Sequence, residues 1–321
     1  RFRPPPLLNG PHIQTLLGKA TRPHGRPELS PSRLELPDGD FVDLVESPHC
    51  WETDRPIVLV LHGLEGSAFR RYMLVTYHAL IRQRLAPVGL HFRGCSGIPN
   101  RKPRAYHSGD TVDLSAVIAW LGRRYPGRSL GVVGFSLGGN VVLKYLGERE
   151  AGETGITAAA VISVPFDLSV AATELERVGT YQIYRSYFLR SLKKKVVQKR
   201  GLIKGLADVD GALGARTLRD FDQALTAPIH GFNSAEHYYA ESSSGPFLED
   251  IDVPTLVVHA IDDPFLPAHA IPQGILKRNP ALRALLPARG GHVGFVSEAG
   301  DAVRFWAEEQ AARYLGSLLS A

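Results

Sequence analysis

A short glycine-rich segment carries the strongest chemical signal in this chain: residues 134–138 are Gly-Phe-Ser-Leu-Gly and fit the pattern G-x-S-x-G. The pentapeptide alone is weakly specific, but it lies where an apolar run ends and a helical pattern begins. A sharp strand-to-helix turn of this kind exposes a serine hydroxyl above a sheet, and glycines remove the Cβ atoms that would clash there. The segment therefore predicts that Ser136 is a nucleophile; the alternative is a helix N-cap in a glycine-rich turn.

A serine hydroxyl is a poor nucleophile until a base takes its proton, so a histidine and a supporting carboxylate must lie elsewhere in the chain. Five histidines follow the serine: His230, His237, His259, His269 and His292. His292 is the predicted base, because its glycine-rich loop follows the last apolar run and can bend back over the serine. His259 lies at a strand end and is expected in the core or behind the site, whereas His230 and His237 lie in a polar insertion.

Two adjacent aspartates are the main candidates for the carboxylate. Asp262 and Asp263 directly follow a buried apolar run, at the carboxyl edge where sheets of alternating strands and helices keep their sites. Asp263, which precedes Pro264, is the predicted partner of the histidine. Asp262 is the principal alternative, with capping of the turn as its other role, and Asp167 after the preceding strand is a third candidate.

A serine nucleophile also needs two backbone N–H groups that donate hydrogen bonds to the oxyanion of the tetrahedral intermediate. Removing one such donor costs roughly 3–4 kcal/mol. One predicted donor is Leu137, the residue after the serine, and the other is Leu64, which lies between Gly63 and Gly66 in the loop after residues 56–61. His62 in the same loop is interpreted as structural.

The segments that position these residues alternate between strand and helix patterns. Buried strands are predicted at 56–61, 87–92, 129–135 and 156–164, and helices at 67–85, 111–125 and 137–146, with Ser67 as an N-cap. An Asp-Gly turn at residues 38–39 predicts an antiparallel hairpin before them. This alternation indicates an α/β fold with a mostly parallel central sheet flanked by helices.

The alternation stops after residue 166. Residues 167–250 are helix-like and more polar, and then a strand at 254–259, a helix at 268–278, a strand at 281–286 and a helix at 301–319 follow. The predicted organisation is a core of residues 1–166, beginning with an N-terminal strap, a helical cap insertion of residues 167–250 and the rest of the core in residues 251–321.

Four segments together resemble a known family. Residues 9–16, 93–97, 134–140 and 291–295 are similar, in this order, to motifs of the YheT-like branch of the α/β-hydrolase superfamily, whose animal abhydrolase-domain relatives include proteins that act on phospholipids. The resemblance implies an α/β-hydrolase fold, a triad of Ser136, Asp263 and His292, and carboxylesterase activity. One departure is Gly10, where the family pattern more often runs Asn-Pro-His, so the preferred interpretation of His12 is packing of the strap on the core.

The predicted function is a serine hydrolase, similar to carboxylesterases and lipases, that cleaves acyl esters through an acyl-enzyme. A thioesterase or acyltransferase would use the same triad, and a non-catalytic binding protein with this fold is the alternative from another class. The chain has no phosphate-binding loop, no dinucleotide fingerprint and no zinc-binding helix motif, so nothing in it requires a cofactor or a metal. The expected substrate is a small-molecule or lipid ester.

The net charge of +5 comes from one segment. Residues 185–204 contain eight basic and no acidic residues, whereas the rest of the chain has 29 basic and 32 acidic residues. Five apolar residues recur at helical spacing along residues 181–196, which overlap this segment: Tyr181, Tyr184, Phe188, Leu192 and Val196. Such a helix can contact an anionic membrane, but the preferred interpretation is that the stripe packs on the core below a solvated basic face. Nucleic acid is not an expected partner, because no recognised module accompanies the basic run.

Cysteine content and hydropathy bear on location. The two cysteines, Cys50 and Cys95, form no disulfide framework, which favours a reducing compartment. No apolar run reaches the roughly 18 residues of a membrane span, and residues 1–8 lack the apolar core of a signal peptide. The expected location is the cytoplasm, with membrane association as an option.

Overall fold

A computed structural model of the chain describes residues 2–23, 25–52, 54–150, 152–299 and 302–320. The strands are β1 (Ser30–Glu35), β2 (Phe41–Glu46), β3 (Ile57–Leu61), β4 (Ala86–His91), β5 (Leu130–Phe135), β6 (Ala158–Ile162), β7 (Thr255–Val258), β8 (Leu282–Leu285), β9 (Val296–Ala299) and β10 (Ala302–Phe305). The first eight form one sheet in the order β1-β2-β4-β3-β5-β6-β7-β8. β2 is antiparallel to both of its neighbours, and the other pairs are parallel. The predicted mostly parallel sheet is confirmed.

Helices cover both faces of this sheet. They are α1 (Pro11–Thr21), α2 (Arg71–Arg82), α3 (Thr111–Arg124), α4 (Leu137–Glu148), α5 (Leu168–Glu176), α6 (Thr180–Gln198), α7 (Arg200–Ile203), α8 (Val209–Gly214), α9 (Leu218–Phe221), α10 (Ala227–Ile229), α11 (Ala235–Ser242), α12 (Gln273–Arg278) and α13 (Trp306–Leu319). None of the helices within the described residues is both long and apolar enough to cross a membrane.

The central strands are almost entirely apolar because both of their faces are covered. Every residue of β3, β5, β6 and β7 is buried. Successive side chains point to opposite faces, so Val132 packs in the cluster that contains α3 and α4, and Val133 packs in the cluster that contains α2 and α13. Continuous apolar runs are the pattern of parallel strands between two helical layers.

Most predicted elements are found with ends shifted by a few residues, and three helices differ in ways that have a clear physical cause. The last helix begins at Trp306 rather than at residue 301, because residues 302–305 pair as β10 with β9, with Phe305 opposite Val296. Ser67 does not cap α2, which begins at Arg71; its hydroxyl accepts instead from the Phe69 N–H. The helix predicted at 268–278 is interrupted, because Pro272 has no N–H and disfavours helical geometry in the residue before it.

Residues 167–250 contain α5 to α11, of which α6, α8 and α9 pack against one another. α6 turns Tyr184, Leu189 and Val196 inwards, where they join an apolar cluster with Phe221. Phe265, which follows β7, is part of the same cluster. The helical segment therefore packs on the edge of the sheet where the strands end.

Candidate active site

Ser136 occupies the turn between β5 and α4. Its backbone is left-handed, with φ of 51° and ψ of −120°, a conformation that a residue with a Cβ adopts only where the surroundings hold it. Its N–H donates to the Ile162 carbonyl at 2.8 Å, which ties the turn to β6. A Cβ on Gly138 would lie 2.6 Å from the His62 carbonyl oxygen, so only glycine fits this position. This tight turn holds the Ser136 hydroxyl above the edge of the sheet.

The structure brings the three predicted residues into one hydrogen-bonded line. His292 Nε2 lies 2.9 Å from Ser136 Oγ. Its Nδ1 lies 2.9 Å from Asp263 Oδ2 and 3.2 Å from Oδ1. The Phe265 N–H donates to Asp263 Oδ1 at 2.8 Å and fixes the carboxylate behind the ring. This arrangement can pass a proton from the serine hydroxyl to the imidazole while a carboxylate holds the ring.

Burial and charge act in opposite directions on Asp263. Burial alone would raise the pKa of its carboxyl, but the adjacent His292 imidazole and the Phe265 N–H lower the pKa below its ordinary value overall. The carboxylate is therefore ionised at neutral pH and can stabilise a charged imidazolium.

The alternative carboxylates have other partners. Asp262 Oδ1 accepts from the Gly291 N–H at 2.9 Å and so holds the loop that carries the histidine. Asp167 caps α5 by accepting from the Val170 N–H at 3.0 Å. Neither is hydrogen-bonded to a ring nitrogen of His292.

The other downstream histidines stay away from Ser136. His259 is buried behind Asp263, with Nε2 3.8 Å from its Oδ2, and burial lowers the pKa of His259 to about 4 although the carboxylate opposes this. His230 contacts the carbonyls of Thr226 and Ala105. His237 is half-buried in α11, and His269 is exposed on a helical turn.

Both predicted oxyanion donors line the cavity that contains Ser136 and His292. The N–H groups on either side of Leu64 are occupied: Gly63 donates to Tyr72 Oη at 3.0 Å, and Glu65 donates to Tyr106 Oη at 2.8 Å. Leu137 is the first residue of α4, where a helix leaves its N–H groups without internal acceptors. Among the described residues, no group accepts from the Leu64 or Leu137 N–H, so both are available as donors.

The N-terminal helix contributes contacts that the sequence did not predict. Thr15 Oγ1 accepts from the His292 N–H at 2.9 Å. Gln14 is fully buried and pairs with the backbone of Val296, donating to its carbonyl and accepting from its N–H. A Cβ on Gly291 would lie 2.4 Å from the Pro11 carbonyl oxygen, so the histidine loop and α1 are in direct backbone contact. The only sequence signal was the family-like segment 9–16, which indicated no partner.

The strap packs on the core through Gln14, but the His12 ring lies outside that contact. This ring stacks on Tyr184 of α6 with centroids 5.8 Å apart, and Nδ1 lies 3.2 Å from the Tyr184 hydroxyl. The strap is therefore in contact with the cap segment as well as with the histidine loop.

The cavity above the serine is mainly apolar. It measures about 840 Å³ including its open mouth. The apolar lining comes chiefly from α5, α6 and the loop after β7: Leu168, Ala171, Ala172, Leu175, Phe188, Leu192 and Phe265. A polar edge is formed by Asp222, whose carboxylate accepts from Thr226 Oγ1 and Tyr239 Oη. Burial raises the pKa of Asp222 to about 6, although both hydroxyls oppose this.

The basic segment is only partly solvated, which corrects the predicted basic face. Lys193 donates to the Ala215 carbonyl, and Lys195 donates to Glu65 Oε1 at 2.7 Å. Lys199 is buried among acceptors that include Asn100 Oδ1 at 3.0 Å. These lysines face inwards because carboxylate, amide and carbonyl oxygens distant in sequence lie there.

The chain is similar in sequence to proteins that are already known. The chain belongs to the α/β-hydrolase fold family, because the sequence model of that family matches residues 56–299. It is 37% identical to YheT of Escherichia coli (strain K12) over 97% of this chain and 91% of that one. It is 33% identical to phospholipase ABHD3 of Mus musculus over 75% of this chain and 59% of that longer protein. Within the family the chain is a member of the YheT-like branch, and it is a hydrolase of the type that cleaves esters.

Solved structures show the same fold. Esterase Pf2001 of Pyrococcus furiosus superposes with a TM-score of 0.60 at 15% identity and covers 99% of this chain and 98% of its own. Est1E of Butyrivibrio proteoclasticus, solved with ferulic acid bound, gives a TM-score of 0.58 at 14% identity and covers 90% and 100%.

Proposed function

We propose that the chain is a serine esterase in which Ser136, His292 and Asp263 form the catalytic triad. The observation that carries this proposal is the continuous hydrogen-bonded line from the serine hydroxyl through the imidazole to a buried carboxylate. The strained turn at Ser136 and the two N–H groups of Leu64 and Leu137 support it.

The proposed reaction has two halves. His292 Nε2 takes the Ser136 proton as Oγ bonds to the carbonyl carbon, and the resulting oxyanion accepts hydrogen bonds from the Leu64 and Leu137 N–H groups. The tetrahedral intermediate collapses, the carbon–oxygen bond of the ester breaks, and the imidazolium protonates the departing alkoxide. Water then attacks the acyl-enzyme, with His292 as base, and releases the carboxylic acid and free serine.

The apolar lining supports an ester with a hydrocarbon acyl chain as substrate. A phospholipase and monoacylglycerol lipases among the relatives carry names that agree with such a lipid or small ester. The division into a core and a cap of residues 167–250 belongs to this proposal, because the cap helices supply most of the lining.

We also propose that the protein is cytoplasmic and that it makes peripheral contact with an anionic membrane. Nucleic acid is not a partner in this proposal. Both cysteines are free and buried, which agrees with a reducing compartment. The basic residues of the cap that stay exposed, Arg190 and Lys194 among them, support contact with anionic lipid.

The test is labelling with a fluorophosphonate, which phosphonylates activated serines. We expect the wild type to be labelled at Ser136, and Ser136→Ala to lose both labelling and at least about 10³-fold in kcat on p-nitrophenyl esters. Ser317→Ala, at an exposed serine of α13, is the matched control and should behave as wild type. Equal labelling of wild type and Ser136→Ala would refute the nucleophile, and a series of acyl chain lengths would measure the cavity.

A further inference from the structure

The outer face of α6 combines exposed apolar residues with cations. Ile183 and Val197 are 59% and 61% exposed, and Tyr187 is also exposed between them. Arg190 and Lys194 are the exposed residues that separate Tyr187 from Val197 on the same face, since these five positions recur at intervals of three and four residues. The opposite face of α6 is buried in the cap, so this helix has a second apolar surface that its packing does not use.

α1 continues that surface. Ile13, Leu16 and Leu17 are exposed on one face of α1. Lys19, one turn further on, places Nζ 4.6 Å from the centre of the Tyr187 ring of α6. We define the outer band as the exposed apolar residues Ile13, Leu16, Leu17, Ile183 and Tyr187 together with Lys19, Arg190 and Lys194.

The charge around the outer band has one sign. Residues 2–27 and 177–207, which include both helices, contain no aspartate or glutamate. The nearby acids Glu174 and Glu176 are paired with Arg177 and Arg219. A symmetric contact with a second copy would bring like charges together, which disfavours self-association through this face. Exposed apolar side chains among cations are the pattern of a helix that lies on an anionic lipid surface.

The outer band lies next to the candidate active site. Thr15, on the same helix as Ile13 and Leu16, bonds the His292 backbone. From α6, the Tyr184 ring packs on Phe265 with centroids 4.9 Å apart, and Phe265 packs on the His292 ring at 4.2 Å. A lipid surface in contact with the outer band would therefore be separated from the histidine only by α1 on one side and by the rings of Tyr184 and Phe265 on the other.

We propose that the outer band docks the protein on an anionic lipid surface beside its active site. This proposal deepens the proposed function. It rests on that function in one respect, namely that lipid esters from the bound surface reach Ser136 as substrates. In this proposal Arg190, Lys194 and their apolar neighbours contact the lipid. Lys193 and Lys195 do not, because they are hydrogen-bonded inside the protein.

The experiment is co-sedimentation with vesicles of phosphatidylcholine alone or mixed with phosphatidylglycerol, at low and at high salt. We expect binding to the mixed vesicles that weakens with salt. Leu17→Ser combined with Ile183→Ser should lower the partition coefficient about tenfold. Arg190→Gln and Lys194→Gln should each lower it about fivefold.

Matched controls are Val112→Ser, which changes an equally exposed apolar residue on α3, and Arg84→Gln, which changes an exposed cation distant from the band. Both should bind as wild type. The band variants and the two controls should hydrolyse a soluble short-chain p-nitrophenyl ester at the wild-type rate. Ser136→Ala should still bind vesicles, so a failure of docking can be distinguished from a failure of catalysis.

Three results would overturn the proposal: no binding by the wild type, band variants that bind like the controls, or equal binding to neutral vesicles. Light scattering provides a fourth. A wild type that is dimeric, with band variants that are monomeric, would assign the face to self-association instead.

Discussion

At the residue scale, two adjacent aspartates divide two tasks. Asp263 holds the His292 ring, whereas Asp262 holds the backbone of the loop through the Gly291 N–H. The sequence could place the acid after β7 but could not choose firmly between the two, because the choice depends on which side chain the turn directs inwards. That turn is fixed by the hydrogen bond from the Phe265 N–H to Asp263.

Asp263→Asn should lower kcat about 10⁴-fold on a p-nitrophenyl ester, because an amide no longer holds the imidazole in the required tautomer or stabilises its charged form. Asp262→Asn is the matched control. Its amide oxygen can still accept from the Gly291 N–H, so kcat should stay within about threefold of wild type. The opposite ranking in steady-state kinetics would move the acid by one residue.

At the element scale, the strand ends and the turn at Ser136 were predictable, because their signals are local. The role of α1 was not predictable, since its partners lie 277 to 282 residues further along the chain. The same reason explains Lys195 of α6 and Lys199 directly after it: the helix was predictable from its period, but the inward contacts of these lysines with Glu65 and Asn100 depend on tertiary packing.

Thr15 is a positioning residue in this structure, because its hydroxyl accepts from the backbone N–H of His292 without touching the reacting atoms. Thr15→Val should leave that N–H without an acceptor and lower kcat about tenfold, with little change in KM. Thr15→Ser should restore the rate, because it keeps the hydroxyl.

Thr21→Val is the control for this prediction, since Thr21 Oγ1 donates to Leu17 in the same helix but contacts no loop of the site. It should leave kcat unchanged, and all three variants should have melting temperatures close to wild type. If Thr15→Val and Thr15→Ser were equally active, the hydroxyl would have no positioning role.

At the scale of the whole molecule, the alternation of strands and helices predicted a parallel sheet and a helical insertion, but not how the two ends of the chain meet. β9 and β10 were predicted as a loop and a helix start, because two four-residue strands are too short to show a clear alternating pattern. The N-terminal helix packs beside that hairpin through Gln14 and Val296. The histidine loop is thus held between the first and the last helices.

A buried ion pair closes this arrangement. Arg22, at the end of α1, is 2% exposed and donates to Glu308 of α13, which is fully buried. The same guanidinium donates to the carbonyls of Val293 and Gly294 in the histidine loop. Burial raises the pKa of Glu308, and Arg22 offsets this only in part, so the pair is sustained by the packing around it.

Glu308→Ala should therefore lower the free energy of unfolding by about 3–5 kcal/mol, because it leaves the Arg22 charge buried without its carboxylate. The control is Glu309→Ala on the same helix, which removes an exposed pair with Arg313 and should cost less than about 1 kcal/mol. Urea unfolding measures both. Equal losses would show that α1 is not anchored through Arg22, whereas a large loss confined to Glu308→Ala, with reduced kcat at temperatures where it stays folded, would tie the stability of the molecule to the position of His292.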